Sequence, residues 1–250
     1  MLGPRKKVAA PVKGRVGRPR ANGTSRPVDP REDILRVAAK LFAERGFVGT
    51  STRQIATVVG LRQSALFHWF PSKEALLEEL FSRGWDRSLE YFSRIADSSL
   101  SGAVKLCMCL SYDARLVAGA EPYIQVMIVP PELRQPKFKR LLQKRQRLID
   151  YFVNFILEAI ADGDFRPLDA EGAARMVLAV DEVILDAARA QRAPTPRQHA
   201  DLVVDFALHA LVSERSRIPK IRRATASEAA GAAAESPDQL SAARATPAGG

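Results

Sequence analysis

Residues 50–76 read TSTRQIATVVGLRQSALFHWFPSKEAL, and this stretch decides the fold. Ser51 and Gln54 have the spacing of a capping box, so a short helix is expected to begin at residue 52. Gly60 supplies the left-handed stop that commonly ends a helix, and a second short helix is expected over residues 63–70. Two short helices joined by a tight, glycine-containing turn are the outline of a helix-turn-helix unit.

Helices are also predicted on both sides of this unit. Asp29, followed by Pro30 at the first helical position, marks the start of a first helix that Gly46 ends. Ser72 caps a fourth helix. Further helical patterns lie near residues 101–119, 121–129, 132–162, 169–191 and 196–216. The sequence therefore predicts an all-α protein, with an N-terminal three-helix helix-turn-helix domain over residues 29–80 and a second helical domain over residues 81–217.

The charge of the chain is unevenly distributed. The 250 residues carry a net charge of +10. Residues 1–30 hold eight Lys or Arg and one acidic residue, so they contribute +7 of that total. Because this segment has almost nothing to bury, residues 1–28 are expected to form a disordered basic arm. Such an arm suits a polyanion, with nucleic acid as the first candidate, and the alternative is a tail that only adds solubility.

Composition limits the class of protein further. The apolar stretches are far shorter than the roughly 18 residues that a membrane span needs. The basic N-terminus has no apolar segment behind it, so no targeting signal is expected. The two cysteines, Cys107 and Cys109, have no second pair with which to build a zinc site or a disulfide framework. A cytoplasmic protein without membrane contact is therefore expected.

The stretch quoted above resembles the DNA-binding segment of the TetR family of bacterial transcriptional regulators. The shared pattern is Ile55-Ala56, a small residue before Gly60, and Leu66 followed by Phe70-Pro71-Ser72-Lys73-Glu74 and Leu76. Three positions depart from it: Phe67 replaces a usual Tyr, Val59 a usual Ala, and Arg62 the Ser that usually caps the recognition helix. The resemblance covers about residues 31–80. It implies a homodimeric repressor that binds a palindromic operator in double-stranded DNA and is released by a small-molecule effector.

The third helix supplies the candidates for reading bases. Leu66 and Phe70 are expected to face inward. The side chains turned towards the major groove are then Arg62, Gln63, Ser64 and part of Phe67. Arg pairs well with guanine and Gln with adenine, and each good pair contributes roughly 1–3 kcal/mol of discrimination. For Arg62 the alternative is a contact with a phosphate only.

Contacts with the DNA backbone are implied by the resemblance at three places. These are Thr50 or Ser51 before the second helix, His68 late in the third, and Lys73 at the start of the fourth. For Lys73 the physical argument agrees, because the N–H groups and the positive dipole end of a helix favour a phosphate. The alternative for His68 is a ring packed on the protein surface.

The basic arm contains a further candidate motif. Gly17-Arg18-Pro19-Arg20 matches the core of an AT-hook-like sequence. Arg18 and Arg20 are therefore candidates for binding a narrow, A·T-rich minor groove. The alternative is a generic basic tail that binds DNA of any sequence.

The second domain offers candidates for a ligand pocket and a dimer interface. Side chains that can line a pocket are Leu106, Leu110, Tyr123, Met127, Phe152 and Phe155, although such residues are more often plain core. The resemblance implies that the last two long helices pair across a two-fold axis. Their apolar rows include Met176, Val177, Val180, Ile184, Leu202, Val203, Phe206 and Leu211, some of which packing within one protomer also explains. Residues 218–250 are expected to be a disordered tail.

The expected function is therefore sequence-specific regulation of transcription. The alternative is a ligand-independent architectural protein of the nucleoid type that uses its basic arm to coat DNA. An enzyme is disfavoured, because the sequence shows no catalytic grouping, no metal-ligand cluster and no cofactor-binding loop. Catalytic residues, metal and cofactor are accordingly predicted to be absent.

Overall fold

The computed structural model describes residues 29–119, 135–182 and 195–234. Its α-helices in these ranges are α1 (Pro30–Arg45), α2 (Thr52–Val59), α3 (Gln63–Trp69), α4 (Lys73–Ala96), α5 (Gly102–Gly119), α6 (Lys139–Ala161), α7 (Ala170–Glu182), α8 (Pro196–Leu211) and α9 (Ile218–Ala234). Two 3₁₀ turns, Pro136–Phe138 and Arg215–Arg217, precede α6 and α9. The described ranges contain no strand beyond an isolated bridge between Phe165 and Val212. The predicted all-α class is confirmed.

Helices α1, α2 and α3 form the N-terminal part of the buried core. Asp29 caps α1 by accepting the Arg31 N–H, and Gly46 ends the helix with a φ of 73°. The side chains of Ile34 on α1, Ile55 on α2 and Leu66 on α3 point inward, and each is fully buried. Burying an aliphatic side chain of this size stabilises the fold by about 1.5–3 kcal/mol. The three helices therefore form a rigid base for the solvent-facing side of α3.

Helix α4 connects this base to the rest of the molecule. It runs without interruption from Lys73 to Ala96, so the predicted boundary at residue 80 falls inside a continuous helix. Its N-terminal half is tied to α1, because Arg83 bridges Glu32 at 2.8 Å and Glu79 bridges Arg31 at 3.0 Å. Its C-terminal half packs in the second domain, where the Phe92 and Phe152 ring centroids lie 5.1 Å apart. Helix α4 thus makes contacts in both domains.

Helix α5 is the central element of the second domain. Every residue from Gly102 to Leu110 is buried, and α5 packs against α4, α6, α7, α8 and α9. At Gly102 the backbones of α5 and α6 approach so closely that a Cβ would lie 2.4 Å from the Phe155 carbonyl oxygen. Among the described helices, none is long and apolar enough to cross a membrane.

The C-terminal part differs from the sequence-based expectation. Helix α8 ends at Leu211 and not near residue 216, because the following residues turn back towards the loop after α6, where the Arg166 N–H donates to the Leu211 carbonyl. Residues 218–234 were expected to be disordered, yet they form α9. Ile218 and Ile221 of α9 are buried, and the helix packs on α5. A disordered tail over the whole of residues 218–250 is therefore wrong, since apolar residues three apart anchor an Ala-rich segment as a helix.

Some predicted features lie outside the described residues. They are the basic arm of residues 1–28, the helix near 121–129, the first residues of the helix near 132–162, the last residues of the helix near 169–191, and residues 235–250 of the tail.

Candidate DNA-binding site

Local interactions fix the geometry of the helix-turn-helix unit. The predicted capping box is present: the Ser51 hydroxyl accepts the Gln54 N–H at 3.2 Å, and the Gln54 carbonyl oxygen Oε1 accepts the Ser51 N–H at 2.8 Å. Gly60 ends α2 in the left-handed conformation, with a φ of 78°. The Leu61 N–H then donates to the Ala56 carbonyl at 2.8 Å, which closes the turn before α3. The angle between α2 and α3 is thereby set without any ligand.

The solvent-facing side of α3 carries the predicted base-reading residues. Leu66 and Phe70 point inward, with exposed fractions of 0% and 3%. In consequence Arg62, Gln63, Ser64 and His68 are exposed, and Phe67 is 43% exposed. The structure brings these five residues together on one surface, which we call the α3 face.

Trp69 is a surface residue that the sequence reasoning missed. Its side chain is 43% exposed at the C-terminal end of α3. The hydropathy of an aromatic residue between His68 and Phe70 predicts a core position. Trp69 instead lies three residues after the inward-facing Leu66, at the edge of the buried stripe. Trp69 is therefore an exposed aromatic side chain of α3 in addition to the α3 face.

The Gln63 side chain is oriented by its neighbour on α2. Its amide nitrogen Nε2 donates to the Thr52 hydroxyl at 2.9 Å. One further N–H and the carbonyl oxygen of the same amide remain for a base, which suits the two-point pairing of Gln with adenine. The Arg62 side chain makes no capping hydrogen bond to α3, as expected for a residue that replaces a Ser. Within the described ranges its guanidinium also has no ion pair.

Thr50 does not offer its side chain to DNA, in contrast to the prediction. The residue is 1% exposed. Its hydroxyl oxygen lies within hydrogen-bond distance of two carbonyl oxygens. One belongs to Leu41, near the end of α1, at 3.1 Å, and the other to Gly46, directly after α1, at 2.9 Å. The Gly46 carbonyl lies past the end of α1, where carbonyl groups lack a helical partner, so the hydroxyl serves the fold. Ser51, the alternative to Thr50, is exposed at the N-terminus of α2.

The Lys73 side chain is directed inward, towards the turn between α1 and α2. Its ammonium nitrogen Nζ donates to the carbonyl oxygens of Phe47 at 2.7 Å and Thr50 at 2.9 Å. The same nitrogen lies 4.2 Å above the centre of the Phe47 ring, within range of a cation–π interaction. The turn between α1 and α2 therefore takes up two of the three ammonium donors. This contact ties the start of α4 to the turn, and a phosphate contact of Lys73 stays a prediction.

The pocket candidates of the second domain are core residues where the structure describes them. Leu106, Leu110, Phe152 and Phe155 are each no more than 1% exposed. Phe152 packs on Phe92, and the Phe155 ring lies 6.1 Å from that of Tyr151. The remaining pocket candidates, Tyr123 and Met127, lie outside the described residues, as do Arg18, Arg20 and Ile184. A ligand pocket stays a prediction.

The apolar rows of α7 and α8 separate into two groups. Val177, Val203 and Leu211 are buried within the protomer, so the prediction that Val177 and Val203 face a partner is wrong. Val180 is half-buried. In contrast Met176, Leu202 and Phe206 are 70%, 62% and 52% exposed. We call these three residues the α7–α8 apolar face.

Known proteins that share this sequence pattern are bacterial regulators. A family model for bacterial regulatory proteins of the tetR family matches residues 34–80. The HTH-type transcriptional repressor KstR2 of Mycolicibacterium smegmatis is 31% identical over 147 residues, which cover 57% of this chain and 71% of KstR2.

Solved structures share this fold over most of the chain. The crystal structure of Mycobacterium smegmatis AmtR is 27% identical with a TM-score of 0.71, covering 83% of this chain and 98% of AmtR. AibR, in complex with isovaleryl coenzyme A and operator DNA, is 24% identical with a TM-score of 0.62, covering 71% of this chain and 97% of AibR. At that identity the likeness to AibR shows the fold alone. Because this chain matches a named repressor in sequence and shares its family's architecture, it belongs to the TetR family of bacterial transcriptional regulators, which are DNA-binding regulators and not enzymes.

Proposed function

We propose that the protein is a repressor that binds one palindromic operator as a homodimer and is released by a small amphipathic or hydrophobic effector. The observation that carries the proposal is the α3 face. Its exposed polar side chains are suited to hydrogen bonding with base edges, while Leu66 on the opposite side of the helix faces inward. Gln63 and Arg62 read bases, while Ser51, Ser64, Phe67 and His68 contact the backbone or the groove wall. Membership of a family whose relatives are named repressors supports the same function.

The homodimer is supported by the α7–α8 apolar face. Three large apolar side chains that stay exposed on two neighbouring helices are typical of an interaction surface. Pairing this face with its own copy generates a two-fold axis, and a two-fold dimer reads an inverted repeat with half-sites about 34 Å apart or a multiple of that distance.

The effector class is supported by the apolar interior of the second domain. Phe92, Phe152 and Phe155 lie between α4, α5 and α6, next to the helix that connects the two domains. AibR, which shares the fold, was crystallised with isovaleryl coenzyme A, a ligand with an apolar acyl group. A ligand that enters this interior would displace α4 and so move α3 relative to the DNA.

Footprinting on genomic fragments with an excess of competitor DNA tests the proposal. We expect one short palindrome to be protected, whereas uniform coating would support the architectural alternative. A protein that lacks residues 1–28 is the control, because it separates the broad binding of the basic arm from the binding of the α3 face. Within the arm, Arg18→Lys with Arg20→Lys is expected to weaken binding only where the operator flanks are A·T-rich, since it keeps charge but removes the guanidinium groups.

A further inference from the structure

A group of basic side chains at the start of α6 has no part in the features described above. Residues 137–147 contain six Lys or Arg and no acidic residue. Cations in the first turns of a helix are unfavourable for that helix, because they face the positive end of its dipole. The stability of α6 therefore does not explain this composition.

Two of these cations position α6 against the connecting helix. Lys137 bridges Glu74 in the first turn of α4 at 3.0 Å, and Lys144 bridges Asp86 at 2.7 Å. The hydrogen bond from Lys137 contributes most to holding the pKa of Glu74 below its usual value. Since both contacts advance along the two helices in the same direction, α6 runs parallel to α4 and begins beside its first turn.

Three other cations of this segment are exposed: Lys139, Arg140 and Arg147, which we call the α6 basic cluster. None of the three forms an ion pair with a residue that the structure describes. Arg140 and Arg147 are seven residues apart and share one face of the helix, and Lys139 adjoins Arg140, so the three cations lie within the first nine residues of α6.

The cluster lies at the end of the molecule that carries the recognition helix. Only four residues separate Trp69, the last residue of α3, from Glu74, so at most about 18 Å of extended chain connects the two Cα atoms. The opposite end of α6, at Ala161, is roughly 33 Å away from its start. The cations are therefore concentrated at the DNA-proximal end of α6.

We propose that the α6 basic cluster binds phosphates of the operator backbone, as a second DNA contact supplied by the regulatory domain. The proposal rests on the proposed function. Charge complementarity favours DNA as the partner, because the duplex carries one negative charge per about 1.7 Å and the exposed cluster presents unpaired cations at the end that approaches it. Movement of α6 relative to α4 would then change DNA affinity directly.

The test compares two double variants that each remove two exposed positive charges. Lys139→Gln with Arg140→Gln alters the cluster. Lys220→Gln with Arg223→Gln is the matched control at the start of α9, which the ion pair of Arg217 with Asp164 at 2.8 Å places near the far end of α6. Affinity is measured against salt concentration for the operator found by footprinting and for a mixed-sequence duplex of equal length.

We expect the cluster variant to reduce the slope of log affinity against log salt by about 0.9 for each lost phosphate contact. At about 0.15 M salt this corresponds to roughly a fivefold loss of affinity per contact. The loss is expected on both duplexes, because phosphates carry no sequence information. The charge-preserving variant Lys139→Arg with Arg140→Lys keeps the parental slope.

Equal losses in the cluster variant and the control would assign the effect to net charge and overturn the proposal. An unchanged slope in the cluster variant would overturn it as well. A parent protein that binds neither duplex would instead contradict the proposed function, so the two failures are distinguishable.

Discussion

The environment of Gln63 supports its assignment as a base-reading residue. Its amide is oriented by the Thr52 hydroxyl before any DNA arrives, so little side-chain freedom is lost on binding. We expect Gln63→Ala to lose roughly 1–3 kcal/mol of operator binding and little on mixed-sequence DNA, as measured by fluorescence anisotropy. Thr52→Val, which removes only the orienting acceptor, should lose less. Equal losses of Gln63→Ala on both DNAs would contradict base reading.

Lys73 is expected to affect folding more than DNA binding. Lys73→Met removes two hydrogen bonds from a charged donor to the Phe47 and Thr50 carbonyls, so the free energy of unfolding should fall by about 2 kcal/mol. Urea denaturation measures this change. Lys40→Met on the exposed side of α1 is the control and should stay within about 0.5 kcal/mol of the parent. Unchanged stability, together with a slope of log DNA affinity against log salt concentration that is lower by about one, would instead support a phosphate contact of Lys73.

Helix α9 is a structural element of the second domain. Ile221 is buried where α9 packs on α5, so Ile221→Ala should lower the free energy of unfolding by about 2–5 kcal/mol. The neighbouring exposed Lys220→Ala should change it by no more than about 0.5 kcal/mol. Circular dichroism during urea unfolding compares the two variants, and equal midpoints would show that α9 adds nothing to the fold.

The thiol of Cys107 reports whether α9 covers α5. Burial raises the pKa of Cys107 to about 12, so at neutral pH the thiol is protonated and unreactive. Removing residues 218–250 should expose it and increase its rate of alkylation by iodoacetamide at pH 8, read by mass spectrometry. Removing only residues 235–250 leaves α9 in place and should leave the rate low. Identical rates in the two truncations would mean that α9 does not protect Cys107.

For the whole molecule, the exposed apolar residues predict the assembly. Phe206→Asp places a charge in the α7–α8 apolar face without entering the protomer core, so it should give folded monomers that lose the operator. Leu157→Asp on α6 is the matched control, because Leu157 is similarly exposed but lies on a different helix from the three residues of that face. Sedimentation measures the assembly state. A Phe206→Asp protein that remains dimeric would show that the interface lies elsewhere.

The sequence by itself determined the helix-turn-helix unit and the orientation of α3. The capping box of Ser51 and Gln54, the glycines that end α1 and α2, and the inward positions of Leu66 and Phe70 all agree with the structure. They could be predicted because each depends on residues within a few positions of one another, where backbone geometry relates spacing to contact. The exposed set on the α3 face follows from the same periodicity.

Only the tertiary structure decided which polar and apolar residues serve the fold and which remain for partners. Lys73 finds its carbonyl acceptors 23 and 26 residues earlier in the chain, and no local pattern encodes that distance. Val203 and Phe206 belong to the same apolar row of α8, yet one is buried against its own protomer and the other is exposed. Helical periodicity defines an apolar stripe, but the packing of neighbouring helices determines how much of its width they cover, and the uncovered edge is what remains for a second copy.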